Sequence, residues 1–214
     1  MFEGFPEEAL VFYEGLRADN TKAYWTDHRA TYDSAVKAPM EALLAQLEPE
    51  FGKAKFFRPY RDVRFAKDKT PYKDHAAAVV HSEKSGALYV QLSADGLYVG
   101  GGYWHTATDQ AQRLRAAIAD DLTGGQLDAL LAGLPGWEVL GERYKRLPKP
   151  WSPDNPRADL LHHKALAVGR SFEPAEWLHE PECGERVTQA WRAVVPLRDW
   201  LDQHVGPPRS EVQA

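Results

Sequence analysis

The first fifty residues show apolar positions at helical spacing, separated by capping and breaking residues. The spacing predicts a first helix over residues 6–18, which opens with a proline and two acids. Asn20 or Thr21 can cap a second helix, and Pro39 is expected to end it before a third helix runs to about Leu47. The second helix carries three apolar residues on one face: Trp25, Tyr32 and Val36.

Short runs rich in aromatic and branched residues follow, and they are typical of strands. The Asp-Gly pair at 95–96 is a strong signal for a two-residue hairpin loop, because both loop positions favour a positive φ. In that register Leu92 faces Val99, and Tyr89 lies near Gly102. The predicted strands are KFFRPYRDVRF (55–65), AAAVVH (76–81), ALYVQLS (87–93) and LYVGGG (97–102).

Helical spacing returns after the last of these strands, in two segments that we expect Gly124-Gly125 to separate. Four prolines in residues 142–156 predict a stiff, irregular loop there. Further strands are predicted near 137–140 and over 164–172. Short or longer helices are expected to start after three prolines: Pro156, Pro174 and Pro181.

Strands grouped between helical runs predict an α+β fold with a mainly antiparallel sheet and helices at the N- and C-terminal ends. We expect a single domain over residues 1–205 and a disordered tail over 206–214. The N-terminus lacks a basic leader and no apolar run approaches the length of a membrane span, so we predict a cytoplasmic protein with no membrane partner. The sequence leaves the oligomeric state open.

Cysteine and histidine usage argues against a metal site. Cys183 is the only cysteine, which excludes an internal disulfide and an all-cysteine site. The histidines at 75 and 81 are six residues apart, and those at 162 and 163 are adjacent, so neither pair has ligand spacing. We therefore predict no bound metal and no cofactor.

One run of the chain is strongly basic although the protein is acidic overall. Residues 55–73 hold seven cations and two acids, a local net charge of +5, whereas the whole chain of 214 residues carries −5. The rest of the chain therefore sums to −10. Aromatic residues interleave with these cations, which indicates a binding surface rather than a solvated charged tail.

We predict that the basic run binds an anionic small molecule that carries phosphate or carboxylate. Asp62 or Asp68 can each hold an arginine by bidentate pairing and leave other cations for the ligand. Tyr72 and His75 are the candidates for proton transfer, although the sequence does not decide whether the protein is an enzyme. The candidate ligand-binding residues are Arg58, Arg61, Asp62, Arg64, Lys67, Asp68, Lys69 and Lys73.

Two alternatives stay open. A nucleic-acid-binding module would also interleave basic and aromatic residues, as platforms for single strands do. In a structural or partner-binding domain, the cations would instead neutralise acidic parts of the same protein. Salt dependence separates the first alternative from a compact pocket, because strand binding weakens steeply with salt.

Six motifs occur along the chain in an order that is specific to one known family: Gly4-Phe5, residues 20–25, RPYRDVRFAKDKTPYK (58–73), LYVQLSADGLYVGGG (88–102), YKRLPKPW (144–151) and LLHHKAL (160–166). Through these motifs the chain resembles a bacterial and fungal family, the domain of unknown function 2461, over roughly residues 4–172. The resemblance implies an α+β domain and positions of interest but no residue roles: Arg61, Asp62, Arg64, Phe65, Lys67, Asp68, Lys69, Pro71, Tyr72 and Lys73. Two departures are Asp19-Asn20 in place of paired asparagines, and His105 near the place of a usual proline.

Overall fold

The computed structural model describes residues 1–64 and 67–209, and within them it contains a six-stranded sheet. The strands are β1 (Ala54–Phe56), β2 (His75–His81), β3 (Ala87–Ser93), β4 (Gly96–Gly102), β5 (Glu138–Leu140) and β6 (Ala167–Phe172). Their spatial order is β1-β2-β3-β4-β6-β5, and both the β1–β2 and the β5–β6 pairs are antiparallel. The predicted α+β class with an antiparallel sheet is confirmed.

Helices occupy the N-terminal third, the middle and the C-terminal end of the described chain. None of those described is long and apolar enough to cross a bilayer. The α-helices are α1 (Glu7–Ala18), α2 (Lys22–Asp27), α3 (Arg29–Thr31), α4 (Ala38–Phe51), α5 (Thr108–Ala119), α6 (Asp121–Ala132) and α7 (Glu182–His204). A π-helical segment spans Tyr32–Lys37, and short 3₁₀ turns span Leu160–His162 and Glu176–His179.

The chain divides into two compact units, each built from three segments. The first unit comprises Met1–Val80, Tyr89–Val99 and Ser171–Ala190, and the second comprises His81–Leu88, Gly100–Arg170 and Trp191–Ala214. The prediction of a single domain over 1–205 stays a prediction. Of the predicted disordered tail, residues 206–209 are described and their backbone groups hydrogen-bond to Gln110, Arg113 and Asp109, whereas 210–214 lie outside the described residues.

Pro39 does not break the chain's helical path, contrary to the sequence expectation. It is the second residue of α4, directly after a π-helical segment in which the Ala38 N–H donates to the Asp33 carbonyl five residues earlier, so the missing Pro39 donor falls where the regular i→i−4 pattern is already interrupted. The π-helical segment before it runs directly into α4. Residues 29–51 are therefore continuously helical, and the buried face carries Tyr32 and Val36 as the spacing predicted.

The β3–β4 hairpin turns one residue earlier than predicted. Strand β3 ends at Ser93 and β4 begins at Gly96, so the two loop residues are Ala94 and Asp95. Gly96 has a φ of +98°, and a Cβ there would lie 2.3 Å from the Phe172 carbonyl oxygen. The glycine thus serves a close backbone approach at the start of a strand rather than the second loop position.

With this turn, counting outward places Leu92 opposite Leu97 instead of Val99, although both Leu92 and Val99 are fully buried as predicted. Tyr89 packs edge-to-face against Tyr98, with ring centroids 5.9 Å apart.

Gly124 and Gly125 do not separate the two middle helices. Helix α6 runs through both glycines, and the break lies at Asp120, whose carboxylate accepts the N–H groups of Leu122 and Thr123. A Cβ at Gly124 would lie 2.3 Å from the Arg157 Nε, so the glycine makes room for a buried guanidinium. The breaker prediction was wrong because close packing, not chain reversal, requires the glycine.

The other helices and strands predicted for the second half of the chain are present, but most of them are shorter than predicted. Residues 142–156 lack any regular helix or strand, and strands β5 and β6 occupy the predicted places. The helices expected after Pro156 and Pro174 are only 3₁₀ turns, whereas α7 begins directly after Pro181.

Candidate functional site

The predicted strand over residues 55–65 is wrong beyond its first residues. Strand β1 ends at Phe56, and residues 57–74, which we call the signature loop, leave the sheet. Pro59 lacks a donor, but its carbonyl accepts the Lys73 N–H, while the Arg61 N–H donates to the Pro71 carbonyl. These bonds close the loop on itself as a narrow antiparallel pair at its base. Residues 65 and 66, including the candidate position Phe65, lie outside the described residues.

The signature loop is anchored to the helical layer through Tyr72. The Asn20 side-chain amide donates to the Tyr72 carbonyl and accepts from the Tyr72 N–H, at 3.0 and 3.1 Å. The Tyr72 ring is 5% exposed and stacks on Trp25, with centroids 4.4 Å apart and planes 8° from parallel. This anchoring fixes the base of the loop relative to α1 and α2.

At the tip of the loop, the two predicted arginines are matched by aspartates. The Arg61 guanidinium pairs with Asp68 and with the Thr70 hydroxyl. Arg64 forms a bidentate pair with Asp62, at 2.9 and 2.7 Å. The prediction that Asp62 or Asp68 holds a guanidinium in place is confirmed for both carboxylates.

The pKa values of both aspartates are lowered by these contacts. The Thr70 backbone N–H, followed by the Arg61 guanidinium, lowers the pKa of Asp68 from 3.8 to about 2. Arg64 lowers the pKa of Asp62 in the same direction. Both carboxylates are therefore ionised at neutral pH and cancel the charge of their arginines.

The lysines of the loop have no such matching carboxylates among the described residues. Lys69 donates from Nζ to the Val63 carbonyl at 2.9 Å, which leaves two of its three donors for other partners. Lys67 is exposed. The positive charge of the signature loop is therefore carried by its lysines rather than by the arginines of its tip.

Cations gather around one aromatic ring at the base of the loop, in a group that we call the Phe57 cluster: Lys55, Phe57, Arg58 and Lys73. The Lys73 Nζ lies 5.1 Å from the centre of the Phe57 ring and the Lys55 Nζ lies 5.9 Å from it. Lys73 also donates to the Arg58 carbonyl at 2.9 Å. Burial, followed by the positive charge of Arg58, lowers the pKa of Lys73.

No carboxylate of the described residues forms an ion pair with the three cations of the Phe57 cluster. Asp62 lies within electrostatic reach of Arg58 but forms its ion pair with Arg64, so no ion pair of the described residues offsets the repulsion among the three cations. Lys55 was counted in the basic run but was not among the predicted ligand-binding residues. Phe57 was not predicted either, because a single phenylalanine in a strand-like run is an ordinary core residue.

Strand pairing slips by two residues beside this cluster. Strand β1 pairs Phe56 with Ala78, and the Phe57 N–H donates to the Ala77 carbonyl, whereas the isolated bridge farther along joins Tyr60 to Tyr72. The two residues 58–59 therefore face the four residues 73–76. Such bulges redirect side chains and are common beside active sites.

The slip contains a carboxylate–imidazole pair. Asp74 Oδ1 lies 2.8 Å from Nδ1 of His75, whose side chain is 28% exposed. A carboxylate only accepts, so the proton of this bond belongs to Nδ1, and Nε2 is left with its lone pair. His75 was a predicted candidate; Asp74 was missed, although its place next to His75 could have revealed it.

One face of the sheet connects the pair with the Phe57 cluster. Residues alternate sides along a strand, so His75 and Ala77 share a face, and β1 contributes Phe57 to that side through its pairing with Ala77. Ala77 itself is buried, whereas His75 at the start of β2 is partly exposed. On β3, Tyr89 and Gln91 are partly exposed, whereas Val90 between them is buried.

Tyr72, the second predicted proton-transfer residue, is buried. Burial, followed by the neighbouring Tyr60, raises the pKa of Tyr72. Its ring stacks on Trp25 and its backbone pairs with Asn20, so its contacts are those of an anchor. A catalytic role for Tyr72 stays a prediction.

Within the described chain, no group of three or more histidine, cysteine, aspartate or glutamate side chains is arranged to hold a metal ion. Cys183 is buried, and burial raises the pKa of its thiol to about 12. The thiol is therefore protonated at neutral pH and is a poor nucleophile.

Comparison with known proteins agrees with the motifs of the signature loop. No curated protein matches the chain. A family model described as "Conserved hypothetical protein (DUF2461)" matches residues 8–200, which include the whole signature loop and the Asp74–His75 pair. The chain therefore belongs to the DUF2461 family.

Proposed function

We propose that the protein binds an anionic small molecule, bearing phosphate or carboxylate, at the Phe57 cluster. The observation that carries this proposal is the pairing of Lys73 with the backbone carbonyl of Arg58 instead of with a carboxylate. Two cations are thereby held together, and a third, Lys55, shares the same aromatic ring. An anion that bridges them removes their mutual repulsion and gains charge-assisted hydrogen bonds.

The base of the loop suits this role better than the tip. The Asp62–Arg64 and Asp68–Arg61 pairs already satisfy the arginines of the tip. An anion that bound there would compete with an aspartate for each guanidinium. At the base no carboxylate of the described residues forms an ion pair with the cations, and Asp62 reaches Arg58 only through longer-range electrostatics, so an anion there has no bonded competitor.

The tip supports the base indirectly. The Asn20–Tyr72 pair fixes the loop to the helices, and the ion pairs of the tip and the Lys69–Val63 bond add smaller restraints on its shape. Pre-organised groups lose less conformational entropy on binding, which strengthens the affinity for a small ligand. Lys67 and Lys69 add positive potential that attracts the anion.

A single-stranded nucleic acid is the second candidate ligand, because Tyr60 exposes 45% of its surface beside these cations. Its ring lies 5.4 Å from Tyr72 and 5.9 Å from Trp25, so it is supported from behind as a stacking platform would be. The overall charge of −5 opposes long polyanions, and we rank this candidate second.

Thermal melting with a panel of inorganic phosphate, nucleotides and dicarboxylates tests the proposal. A ligand at about 100 times its Kd stabilises by roughly 2.7 kcal/mol, and we expect a rise of about 5 to 10 °C in the melting midpoint. Lys73→Met should abolish this rise without lowering the midpoint of the free protein, because it removes a repelled cation. Lys84→Met, an exposed lysine of another segment, is the matched control and should keep the rise.

Two results would reject the small-anion site. One is that no compound in the panel shifts the wild type; the other is that the shift survives in Lys73→Met. An oligonucleotide whose affinity falls steeply between about 50 and 200 mM salt, and which needs Tyr60, would favour the nucleic-acid candidate instead.

A further inference from the structure

We infer that Asp74 and His75 form an acid–base pair that hydrolyses an ester of the anionic ligand bound at the Phe57 cluster. The inference rests on the proposed function, since the cluster supplies the binding site. It adds a reaction, general-base hydrolysis, and a substrate class, an ester of a small molecule that also bears phosphate or carboxylate.

The geometry of the pair is that of a base held by a carboxylate. The bond of 2.8 Å between Asp74 Oδ1 and His75 Nδ1 fixes the tautomer and the orientation of the ring. Nε2 is then the atom that accepts a proton, and the partial exposure of His75 allows water and ligand to reach the side chain. Asp74 acts through His75 and is therefore a positioning residue.

The backbone brings this pair to the cationic cluster. The Lys73 N–H is bonded to Pro59, and Phe57 is bonded to Ala77, so Arg58 alone faces the three residues 74–76. Those three residues, of which two are in excess, are the Asp74–His75 pair and Ala76. An anion held by Arg58 and Lys73 thus lies beside the bulge that carries the base.

Three other groups surround Asp74. Arg17 of α1 lies within its electrostatic reach, and so do the phenols of Tyr13 and Tyr89. Burial, followed by a neighbouring phenol and then by the charge of Asp74, raises the pKa values of both phenols, so they stay protonated at neutral pH. Arg17 is held by a bidentate pair with Asp95, at 3.0 and 2.6 Å, so it serves that contact.

The reaction balances without a further reagent. Nε2 of His75 takes a proton from water while the water oxygen attacks the carbonyl carbon or the phosphorus of the ester. The bond to the ester oxygen breaks, and the imidazolium returns the proton to the leaving alkoxide. The products are the acid and the alcohol, and Arg58 and Lys73 hold the anionic group of the substrate throughout.

Hydrolysis of two chromogenic probes tests the inference: p-nitrophenyl phosphate and mono-p-nitrophenyl glutarate, with neutral p-nitrophenyl acetate as the uncharged control. We expect the wild type to hydrolyse at least one anionic probe, and His75→Gln to reduce kcat by roughly 10²- to 10⁴-fold, the usual contribution of a general base. His81→Gln, at the exposed far end of β2, should leave the rate unchanged. The neutral ester should show no such dependence on His75.

Asp74→Asn separates positioning from a purely structural role, and it keeps the imidazole if His75→Gln fails to fold. Removing the carboxylate should lower kcat with little change in KM. A purely structural role would instead raise KM and lower the melting midpoint together with kcat.

Binding and turnover fail separately in this design. If phosphate raises the melting midpoint in a Lys73-dependent way but neither anionic probe is hydrolysed, the acid–base pair is rejected and the binding proposal stands. Equal rates in wild type and His75→Gln also reject it. If anion binding is absent while the probes are hydrolysed in a His75-dependent way, the site at the Phe57 cluster is rejected instead.

Discussion

Two arginines that pair with aspartates, Arg157 and Arg64, differ in burial and in how much their contacts stabilise the fold. Arg157 of the second unit is 9% exposed and donates to the Ile118 carbonyl at 2.6 Å and to the Asp120 carbonyl at 3.2 Å. Its guanidinium also reaches two aspartates at 3.3 Å. Arg64 at the tip of the signature loop is 77% exposed and pairs with Asp62 alone.

The difference shows which of these contacts determine structure. A buried guanidinium that binds the last carbonyls of α5 completes a helix end, and removing it leaves those groups unpaired. An exposed ion pair contributes about 0 to 1 kcal/mol. The shape of the signature loop must therefore come from the Asn20–Tyr72 pair and the stacked rings, while its ion pairs only adjust it.

The largest effect that this comparison predicts is for Arg157→Met. Loss of the guanidinium leaves the carbonyls of Ile118 and Asp120 without their donor, and each unpaired buried group costs about 1 to 3 kcal/mol, so we expect a total loss of about 3 to 5 kcal/mol. The melting midpoint should fall by about 6 to 20 °C. Arg64→Met should leave the melting midpoint almost unchanged.

If Arg157→Met and Arg64→Met lower the melting midpoint equally, the buried arginine does not stabilise the fold more than the exposed one. Gly124→Ala gives an independent check, since the added methyl would meet the Arg157 Nε at 2.3 Å. Gly125→Ala is its control, because nothing lies within 4 Å of a Cβ at that position.

A smaller loss is expected for Asn20→Ala, which removes both bonds to the Tyr72 backbone. Unpaired buried backbone groups cost about 1 to 3 kcal/mol, and the base of the loop should open more often. Hydrogen exchange at the Tyr72 amide measures this opening directly. Asn20→Asp keeps an acceptor for that amide and should lose less; if both variants exchange at the wild-type rate, the loop is anchored elsewhere.

The sequence predicted the fold well wherever local patterns decide it. The alternation that buries Leu92 and Val99 and the helix that starts after Pro6 were both recognisable from spacing. The errors arose where distant residues decide. Gly124 is explained by the Ile118 carbonyl and by Arg157, which lies 33 positions later in the printed sequence, and Gly96 by the backbone near Phe172.

The candidate site shows the same limit. The local net charge identified the basic run, and the preference of arginine for carboxylates predicted that Asp62 or Asp68 pairs with an arginine, as both do. The division between a neutralised tip and an unneutralised base follows from the slip in strand pairing between Phe57 and Tyr60. Strand register depends on partners far along the chain, so spacing alone did not bring Lys55 together with Arg58 and Lys73, although the place of Asp74 next to His75 was a local signal.

The smallest predicted effect concerns the pH dependence of the tip. The Thr70 N–H and the Arg61 guanidinium lower the pKa of Asp68 from 3.8 to about 2, so its contacts favour the folded state fully above pH 4. That contribution is lost as the pH falls from about 4 through 2, where the folded carboxylate takes up its proton. Asp68→Asn lacks the titrating group, so its deficit in urea midpoint relative to wild type should shrink steadily between pH 5 and pH 2. A deficit that stays constant over this range would mean that Asp68 supports the loop through hydrogen bonds that its amide replaces poorly at every pH, and that its charge adds nothing to the folded state.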